Sequence, residues 1–496
     1  MRTFDEIESK EARLSVQTIG KPEGSGMLTL DREQTSLSLS TNELFYPKTD
    51  INGWFDIRLR HGSRAILLLN SLFQSQTDHG NKREMWETGI FPNIVVFNAD
   101  ALDKNDKVRT VLFRIEKFAD FFVHHVIEHQ SLYEAKQDVF RSLKKLRNNK
   151  FSKQYPVRYD FHKPDSVYLV HLPPRVLSFK ALGNKFEMHW GMSSRGFGWD
   201  GIQVKAEPIG KITFAESKSI DEAIDEIWIW KRLFCQLAME RLDLTTISSR
   251  STTKRLFADI YLSNAKRKSQ KESDPWSFRR GESPYSQWSE RKKLGETMQA
   301  WLSKNQARNR FRVNVDRVIA NLRKSVDLED IVTLCAAVES LDELKSSKGL
   351  ADKDIKKIAK AAAQAALDEK IPVDPARIHS VIGMLKHHSL PQRLKLLMAA
   401  LAPAVTPAQA KTIISGAVSL RVIAAHGGSI ASLSIPRVQP IVTALAGACV
   451  AYDLLTSGFP PKANEHTRLR AMRQIKDSVD WLSHLEKQTA RLQPKV

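Results

Sequence analysis

The spacing of apolar residues changes once along this chain, from a period of two in the first half to three or four in the second. Residues 27–30 and 36–40 read MLTL and SLSLS, and such alternation is typical of half-buried strands. Residues 311–324 and 328–344 instead repeat apolar residues at helical spacing. A strand pattern does not fold stably as a helix, or the reverse. The sequence therefore predicts an α+β protein, with a β-rich N-terminal domain followed by an all-α helical-bundle domain.

The boundaries follow from where these patterns start and stop. We predict an α+β domain over residues 1–244, a basic linker or long loop over 245–293, and an all-α domain over 294–496. Within the first domain we expect a helix over 119–146, a hairpin around Gly183-Asn184, and a helix that begins at the capping box Ser219-x-x-Glu222. In the last domain, Thr406-Pro407 is a good helix start and Gly427 a good stop.

Charge points to a polyanionic partner. The chain has 76 Lys and Arg against 56 Asp and Glu, a net charge of +20, and an excess this large is typical of nucleic-acid binding. The predicted linker interleaves aromatic residues with cations, which would contact a nucleic-acid backbone while the rings stack on bases. The candidate nucleic-acid-binding residues are Lys266, Arg267, Lys268, Arg279 and Arg280. A solvated basic loop whose aromatic residues dock on a neighbouring domain is the alternative.

Cysteine content and hydropathy indicate the cellular compartment of the protein. Cys235, Cys335 and Cys449 lie far apart with no CxxC pair, which argues against a disulfide framework or a thiolate zinc site and fits a reducing cytoplasm. The first residues lack the apolar segment of a signal peptide. The longest apolar run, 441–452, is shorter than the ~20 residues that a membrane span needs. We expect a cytoplasmic protein without a membrane partner.

Two motifs suggest other activities. Residues 196–201 fit G-x-G-x-x-G, but the next residues look like a strand rather than a helix, so a glycine-rich β-turn is the better interpretation. His125-Val-Ile-Glu128-His129 fits the inverted zincin pattern, which on a helix would give two zinc ligands one turn apart and Glu128 as general base. Without a third ligand, helix histidines facing solvent or a polar contact are the simpler interpretation, and a zinc metallopeptidase remains a remote alternative. We assign no metal and no cofactor.

The pair Arg421 and His426, followed by Gly427 and Gly428, could cleave RNA. An arginine fork binds a phosphate and stabilises charge that develops on it. An imidazole titrates near neutrality and can move the proton of a ribose 2′-OH. Five residues along a helix turn about 500°, so the two side chains would lie ~140° apart. A helix break at Gly427, or a site shared between two chains, would bring them together; a charge pair at a helix end would explain the same residues.

Residues 417–428, AVSLRVIAAHGG, resemble the Arg-x4-6-His motif of HEPN ribonucleases, which are all-helical domains. The helices around the motif look like the layout of ApeA-type HEPN proteins. In the N-terminal half, Gly26-Met-Leu-Thr and the stretches 50–55 and 65–69 are similar to the opening strands of the ApeA N-terminal domain. The similarity spans most of the chain as a layout.

The resemblance implies a bacterial antiphage protein of the abortive-infection type, a cytoplasmic toxin with an N-terminal domain that senses a phage-derived trigger. The helical domain would cut RNA as a homodimer, without a cofactor, through the catalytic residues Arg421 and His426. Cleavage would be a metal-independent transesterification that leaves a 2′,3′-cyclic phosphate. The family usually has a polar residue directly after the arginine, where this chain has Val422. A non-catalytic HEPN module that binds RNA or senses a signal is therefore the alternative.

Overall fold

The computed structural model describes most of the chain, with gaps. The described ranges are 2–11, 13–19, 23–31, 34–43, 53–60, 63–78, 84–122, 127–131, 166–170, 177–198, 201–263, 291–322, 326–344, 352–383, 388–402, 404–425, 438–460 and 469–492. The strands lie before residue 263, and the described residues after 290 are helical. The predicted α+β class, with a β-rich region followed by a helical region, is confirmed.

Fourteen strands lie in the part of the chain that the structure describes. They are β1 (Arg13–Thr18), β2 (Gly24–Thr29), β3 (Ser36–Thr41), β4 (Trp54–Leu59), β5 (Arg64–Asp78), β6 (Glu84–Phe97), β7 (Val108–Ile115), β8 (Ile127–Ser131), β9 (Ser166–Val170), β10 (Leu177–Ala181), β11 (Asn184–Gly198), β12 (Gly201–Lys218), β13 (Leu244–Ser251) and β14 (Ala258–Leu262). All but β8 and β9 join one antiparallel sheet in the order β10-β11-β12-β7-β13-β14-β6-β3-β2-β1-β4-β5.

One end of this sheet closes into a six-stranded barrel. Strand β5 pairs with β6 as well as with β4, so β6, β3, β2, β1, β4 and β5 form a ring without a free edge. The alternation that predicted β3 is visible in its burial, since Leu37 and Leu39 are buried while Ser38 is exposed. The barrel therefore encloses the apolar side of each strand.

The other strands extend from β6 as an open sheet. The predicted hairpin forms between β10 and β11, where Ala181 pairs with Asn184. Its two turn residues are Leu182 and Gly183, with φ of 52° and 78°, as a type I′ turn requires. The glycine motif at 196–201 also spans a hairpin, because Gly198 at the end of β11 pairs with Gly201 at the start of β12. Because a strand rather than a helix follows the motif, the dinucleotide fingerprint is excluded; the turn residues 199 and 200 lie outside the described residues.

Two expectations for the N-terminal half are wrong. The helix predicted over 119–146 does not form where the structure describes it: residues 118–121 are a short 3-10 turn, and 127–131 form β8, which pairs with β9 about 40 residues later. The predicted linker also begins too early, because β13 and β14 lie at 244–262 and occupy the middle of the sheet. In both places a distant strand partner overrides what the local sequence suggests.

The described helices are α1 (Phe4–Glu11), α2 (Ile220–Ala238), α3 (Arg291–Ser303), α4 (Asn305–Asn321), α5 (Leu328–Glu339), α6 (Asp352–Asp368), α7 (Pro375–Gly383), α8 (Leu390–Ala399), α9 (Pro407–Ala425), α10 (Val438–Thr456) and α11 (Arg470–Leu492). Helix α2 begins with the predicted capping box between Ser219 and Glu222. The helical periods at 311–324 and 328–344 predicted α4 and α5, and Thr406-Pro407 predicted the start of α9.

Helix α10 is the centre of the helical region. It contacts α4, α5, α8, α9 and α11, and most of its side chains are buried. By length and composition it could cross a membrane, with 19 residues and a mean hydropathy of 1.5, but 78% of the apolar stretch is buried within the protein. A helix that is apolar all round and covered by other helices is a core helix.

The two regions pack on each other through α2 and α3. Helix α2 contacts α4 and α11, and the Nη1 of Arg232 on α2 donates a hydrogen bond of 3.0 Å to Asn309 on α4. Helix α3 lies against β10, where Gly295 faces Leu177 and Phe179 at van der Waals distance. Helices α2 and α3 therefore pack directly on the sheet and connect it to the other helices.

Candidate functional site

Of the predicted catalytic pair, the structure describes Arg421, while His426 lies outside the described residues. Arg421 lies four residues before Ala425, which is the last residue of α9. Gly427, the predicted stop, is also outside the described part, as are the candidate nucleic-acid-binding residues Lys266, Arg267, Lys268, Arg279 and Arg280.

Helix α9 starts where the sequence predicted. The backbone N–H of Gln409 donates to Thr406 Oγ1 at 3.3 Å, and the N–H of Thr406 donates to Gln409 Oε1 at 3.0 Å. This reciprocal capping satisfies two donors that the first turn leaves open. Pro407 follows as the first helical residue, a position that tolerates its missing N–H.

Helix α9 approaches α10 closely at Gly416. A Cβ at this glycine would lie 2.7 Å from Cδ1 of Ile441 on α10, so a side chain here would push the two helices apart. Ile413, Ala417 and Leu420 are the buried residues of α9 and share one face at helical spacing. The helix also contacts α5, α8 and α11, which fixes the direction in which Arg421 is presented.

Arg421 is held by a carboxylate from another helix. Its Nη1 lies 2.8 Å from Glu339 Oε1, and its Nη2 donates to Glu339 Oε2 at 3.1 Å. This two-pronged contact uses the planar fork that arginine offers to carboxylates and phosphates alike. Both side chains remain 37% exposed. The guanidinium is therefore oriented by protein and open to solvent at the same time.

Glu339 is in turn fixed through its backbone. It is the last residue of α5, and the buried Arg393 of α8 donates from Nη1 to the carbonyl oxygen of Glu339. The Nε of Arg393 donates to the carbonyl of His388 at 2.9 Å. Carbonyls at a helix C-terminus lack helical partners, so Arg393 both satisfies one and locks the position from which Glu339 reaches Arg421.

The buried thiol one turn before Glu339 is chemically quiet. Burial raises the pKa of Cys335 to about 12, against a smaller lowering by Arg421. Since the thiolate is the nucleophilic form, Cys335 is not a nucleophile in this site. Cys235 and Cys449 are buried as well.

A second, larger arginine–carboxylate cluster lies in the helical core, and sequence reasoning missed it. Asp453 on α10 accepts from Arg312 Nε at 2.7 Å, from Arg308 Nη1 at 2.8 Å and from Trp301 Nε1 at 2.9 Å. The guanidinium of Arg312 also lies 3.6 Å from the centre of the Trp301 ring. The four-residue spacing places Arg308 and Arg312 on the same side of α4, but nothing local indicates their partner Asp453, which lies 141 residues after Arg312.

This core cluster is closed to solvent. Asp453 and Arg312 are 0% exposed, and burial lowers the pKa of Arg312 while Asp453 raises it. Buried charges persist only when they are paired and hydrogen-bonded. The cluster therefore joins α3, α4 and α10 to one another, and no surface is left on it for a substrate.

A family model for ApeA N-terminal domain 1 matches residues 19–301, which is more than half of the chain. The chain belongs to the ApeA N-terminal domain 1 family. The ApeA part of the resemblance is thereby confirmed, and the family is one of antiphage defence proteins. Neither a curated protein nor a solved structure matches the chain.

The ApeA N-terminal match runs through β13 and β14 and ends inside α3, well past the boundary predicted at Leu244. Its last residue is Trp301, whose indole N–H donates to Asp453 of the helical core. The matched region thus includes most of α3 and contacts the helical core through Trp301 as well as through α2.

The zinc site proposed from the sequence lacks its structural basis. His125 lies outside the described residues, and Glu128 and His129 belong to strand β8 rather than to a helix. The one-turn spacing that would pair two histidines on a helix does not apply to a strand. Among the residues that the structure describes, no group of three or more His, Cys, Asp or Glu side chains is arranged to hold a metal ion.

Proposed function

We propose that this protein is a metal-independent HEPN endoribonuclease of bacterial antiphage defence, which cuts RNA by transesterification from the ribose 2′-OH. One observation carries the proposal. The Arg421 guanidinium is oriented by Glu339, is 37% exposed, and lies near the end of a helix whose last residue, Ala425, directly precedes His426 in the sequence. A surface arginine held in this way is suited to bind a phosphate.

The two residues would divide the chemistry. His426 takes the proton of the 2′-OH or gives one to the leaving 5′-oxygen, as an imidazole near neutrality can. Arg421 binds the phosphate and stabilises the extra charge of the pentacoordinate transition state. Glu339 acts through Arg421 as a positioning residue, because it restricts the rotamers of a long side chain before the substrate arrives.

The rest of the protein supports a triggered toxin. We propose a homodimer in which the Arg421–His426 pairs of two copies meet, a cytoplasmic location, and an ApeA-type N-terminal domain that responds to a phage-derived signal. The basic stretch with Lys266, Arg267, Lys268, Arg279 and Arg280 would contribute RNA contacts. Trp301, which belongs to the matched region and bonds the helical core, is a route by which sensing could reach the catalytic helices.

The test is RNA cleavage by the full-length protein in EDTA, with analysis of the product ends. We expect cleavage that leaves 2′,3′-cyclic phosphate, a rate loss of roughly 10²- to 10⁴-fold in His426→Ala, and a loss of about 10²- to 10³-fold in Arg421→Ala. His379→Ala is the matched control, since His379 is an exposed helical histidine near an arginine in sequence but outside the motif. Equal cleavage by wild type and His426→Ala would overturn the proposal.

A non-catalytic RNA-binding module is the second candidate, and one observation favours it. Val422, at the position where the family usually has a polar residue, is 51% exposed and offers no hydrogen bond beside the arginine. This candidate predicts salt-dependent RNA binding that survives His426→Ala and no cleavage by any variant. Val422→Asn separates the nuclease from the non-catalytic module. A gain of cleavage in that variant would indicate a nuclease site that the valine has inactivated.

A further inference from the structure

Helix α6 carries four lysines on one face. Lys353, Lys356, Lys357 and Lys360 are all exposed, and their spacings of three, four and seven residues place them side by side on a helix. At 100° per residue they fall within an arc of about 100°. We call this group the α6 lysine face.

The buried side of α6 points elsewhere. Ile355, Ala359, Ala363 and Ala366 are buried, and the helix packs against α7. The mean direction of these four residues differs from that of the lysines by about 115° around the helix axis. The α6 lysine face is therefore turned to solvent by the packing of the helix, without depending on the position of any loop.

The four lysines lack carboxylate partners. Within the described part of the chain, no ion pair involves any of them, whereas Lys104, Lys117 and Lys218 elsewhere contact Asp56, Glu240 and Glu226 at 2.7, 2.7 and 2.5 Å. Like charges three and four residues apart on a helix repel one another. A group of four such lysines therefore favours a bound anion that would relieve this repulsion.

We propose that the α6 lysine face binds the phosphate backbone of RNA and does so without reading sequence. The choice of RNA as the occupant rests on the proposed function, and the excess of 20 positive charges over the whole chain agrees with it. Lysine is a point charge suited to phosphates. The α6 sequence, DKDIKKIAKAAAQAALD, has no aromatic residue, so it provides charge without a surface for base stacking. The face is a holding site for the RNA strand on α6, whereas the proposed cleavage uses Arg421 of α9 and His426.

The test measures RNA affinity against salt in the full-length His426→Ala protein, which binds without cutting. A fluorescent 30-nucleotide single strand is titrated at several salt concentrations, with and without replacement of the four α6 lysines by Gln. We expect affinity at 0.1 M salt to fall roughly ten- to hundredfold and the slope of log K against log salt to shrink by about 2–3, since each phosphate contact contributes ~0.7. The matched control replaces Lys10, Lys107, Lys180 and Lys293, which are exposed on scattered elements, and should change the slope by less than about 1.

An unchanged slope in the α6 variant, or an equal loss in the control variant, overturns the proposal. Vesicles that contain phosphatidylserine provide a further arm: loss of vesicle binding with RNA binding intact would assign the face to lipid and also overturn it. Failure of the proposed nuclease activity is distinguishable from failure of the proposal for the α6 lysine face. If the wild-type protein never cleaves RNA but the slope shrinks in the α6 variant, the proposal for the α6 lysine face holds and the nuclease proposal fails. If cleavage is found and the slope is unchanged, only the proposal for the α6 lysine face fails.

Discussion

The helical region contains two arginine–carboxylate clusters that differ in burial. In the core, Asp453 holds Arg308 and Arg312 with no exposure of Asp453 or Arg312. At the surface, Glu339 holds Arg421 with both side chains 37% exposed. Each carboxylate follows a buried cysteine by four residues, Cys449 in the core and Cys335 at the surface, so the local sequences are alike.

The comparison shows what burial does to one kind of contact. An exposed ion pair adds about 0–1 kcal/mol to stability, whereas removal of one partner of a buried pair costs roughly 3–5 kcal/mol because the other charge is left uncompensated. The core cluster therefore holds the helices together. The surface pair contributes little to folding, so its geometry is better explained by a use for Arg421.

The largest effect is expected from Asp453→Ala. Two buried guanidinium groups and the Trp301 indole would lose their acceptor, and we expect a loss of about 3–5 kcal/mol in the free energy of unfolding. Urea denaturation of the full-length protein measures it. Glu339→Ala is the control from the other cluster and should cost no more than about 1 kcal/mol. Equal losses in the two variants would remove the distinction between the clusters.

An intermediate effect is expected from Glu339→Gln on activity. The amide keeps the shape but weakens the two-pronged contact, so Arg421 becomes less well oriented and kcat should fall about tenfold with KM little changed. Unfolding free energy should stay within about 1 kcal/mol of wild type. Glu339→Asp, which keeps the charge on a shorter side chain, should retain more activity than Gln. A drop in stability that matches the drop in kcat would assign Glu339 to the fold instead.

The smallest effect is expected in thiol labelling of three proteins: wild type, Glu339→Gln and Asp453→Ala. We expect no reaction in the first two. Burial raises the pKa of Cys335 to about 12, so at pH 8 about one thiol in 10⁴ is ionised. Wild type and Glu339→Gln should stay unlabelled by a disulfide reagent in the folded state. Asp453→Ala should label at Cys335 and Cys449, because the loosened core opens more often. Rapid labelling of Glu339→Gln would mean that the Arg421–Glu339 pair also keeps the reagent away from the buried cysteines.

Local periodicity was enough to predict much of the fold. The period of two predicted β3, the turn at Gly183 predicted the β10–β11 hairpin, the capping box predicted the start of α2, and Thr406-Pro407 predicted the start of α9. These features depend on residues a few positions apart, which a sequence displays directly. The pair Arg421 and His426 was also proposed from local spacing, and its catalytic role stays a prediction.

Long-range partners could not be predicted in this way. Glu339 lies 82 residues before Arg421, and Arg312 lies 141 residues before Asp453, so neither contact leaves a local pattern. The strand at 127–131 was assigned to a helix because its partner, β9, is distant in sequence. The His426 side of the site and the basic stretch at 264–290 lie outside the described residues and stay predictions.

The pair β13–β14 has a consequence for how the chain can be divided. In the sheet these two strands are what connects β7 to β6, and so they join the open half to the barrel. A fragment that stops at the predicted boundary, Leu244, would lack both strands and would leave one edge of β7 and the Ile94–Val96 part of β6 unpaired, and an unpaired strand edge is a template for aggregation. The N-terminal region should therefore be produced with residues 245–262 included, and a fragment that ends at Leu244 should be the less soluble of the two.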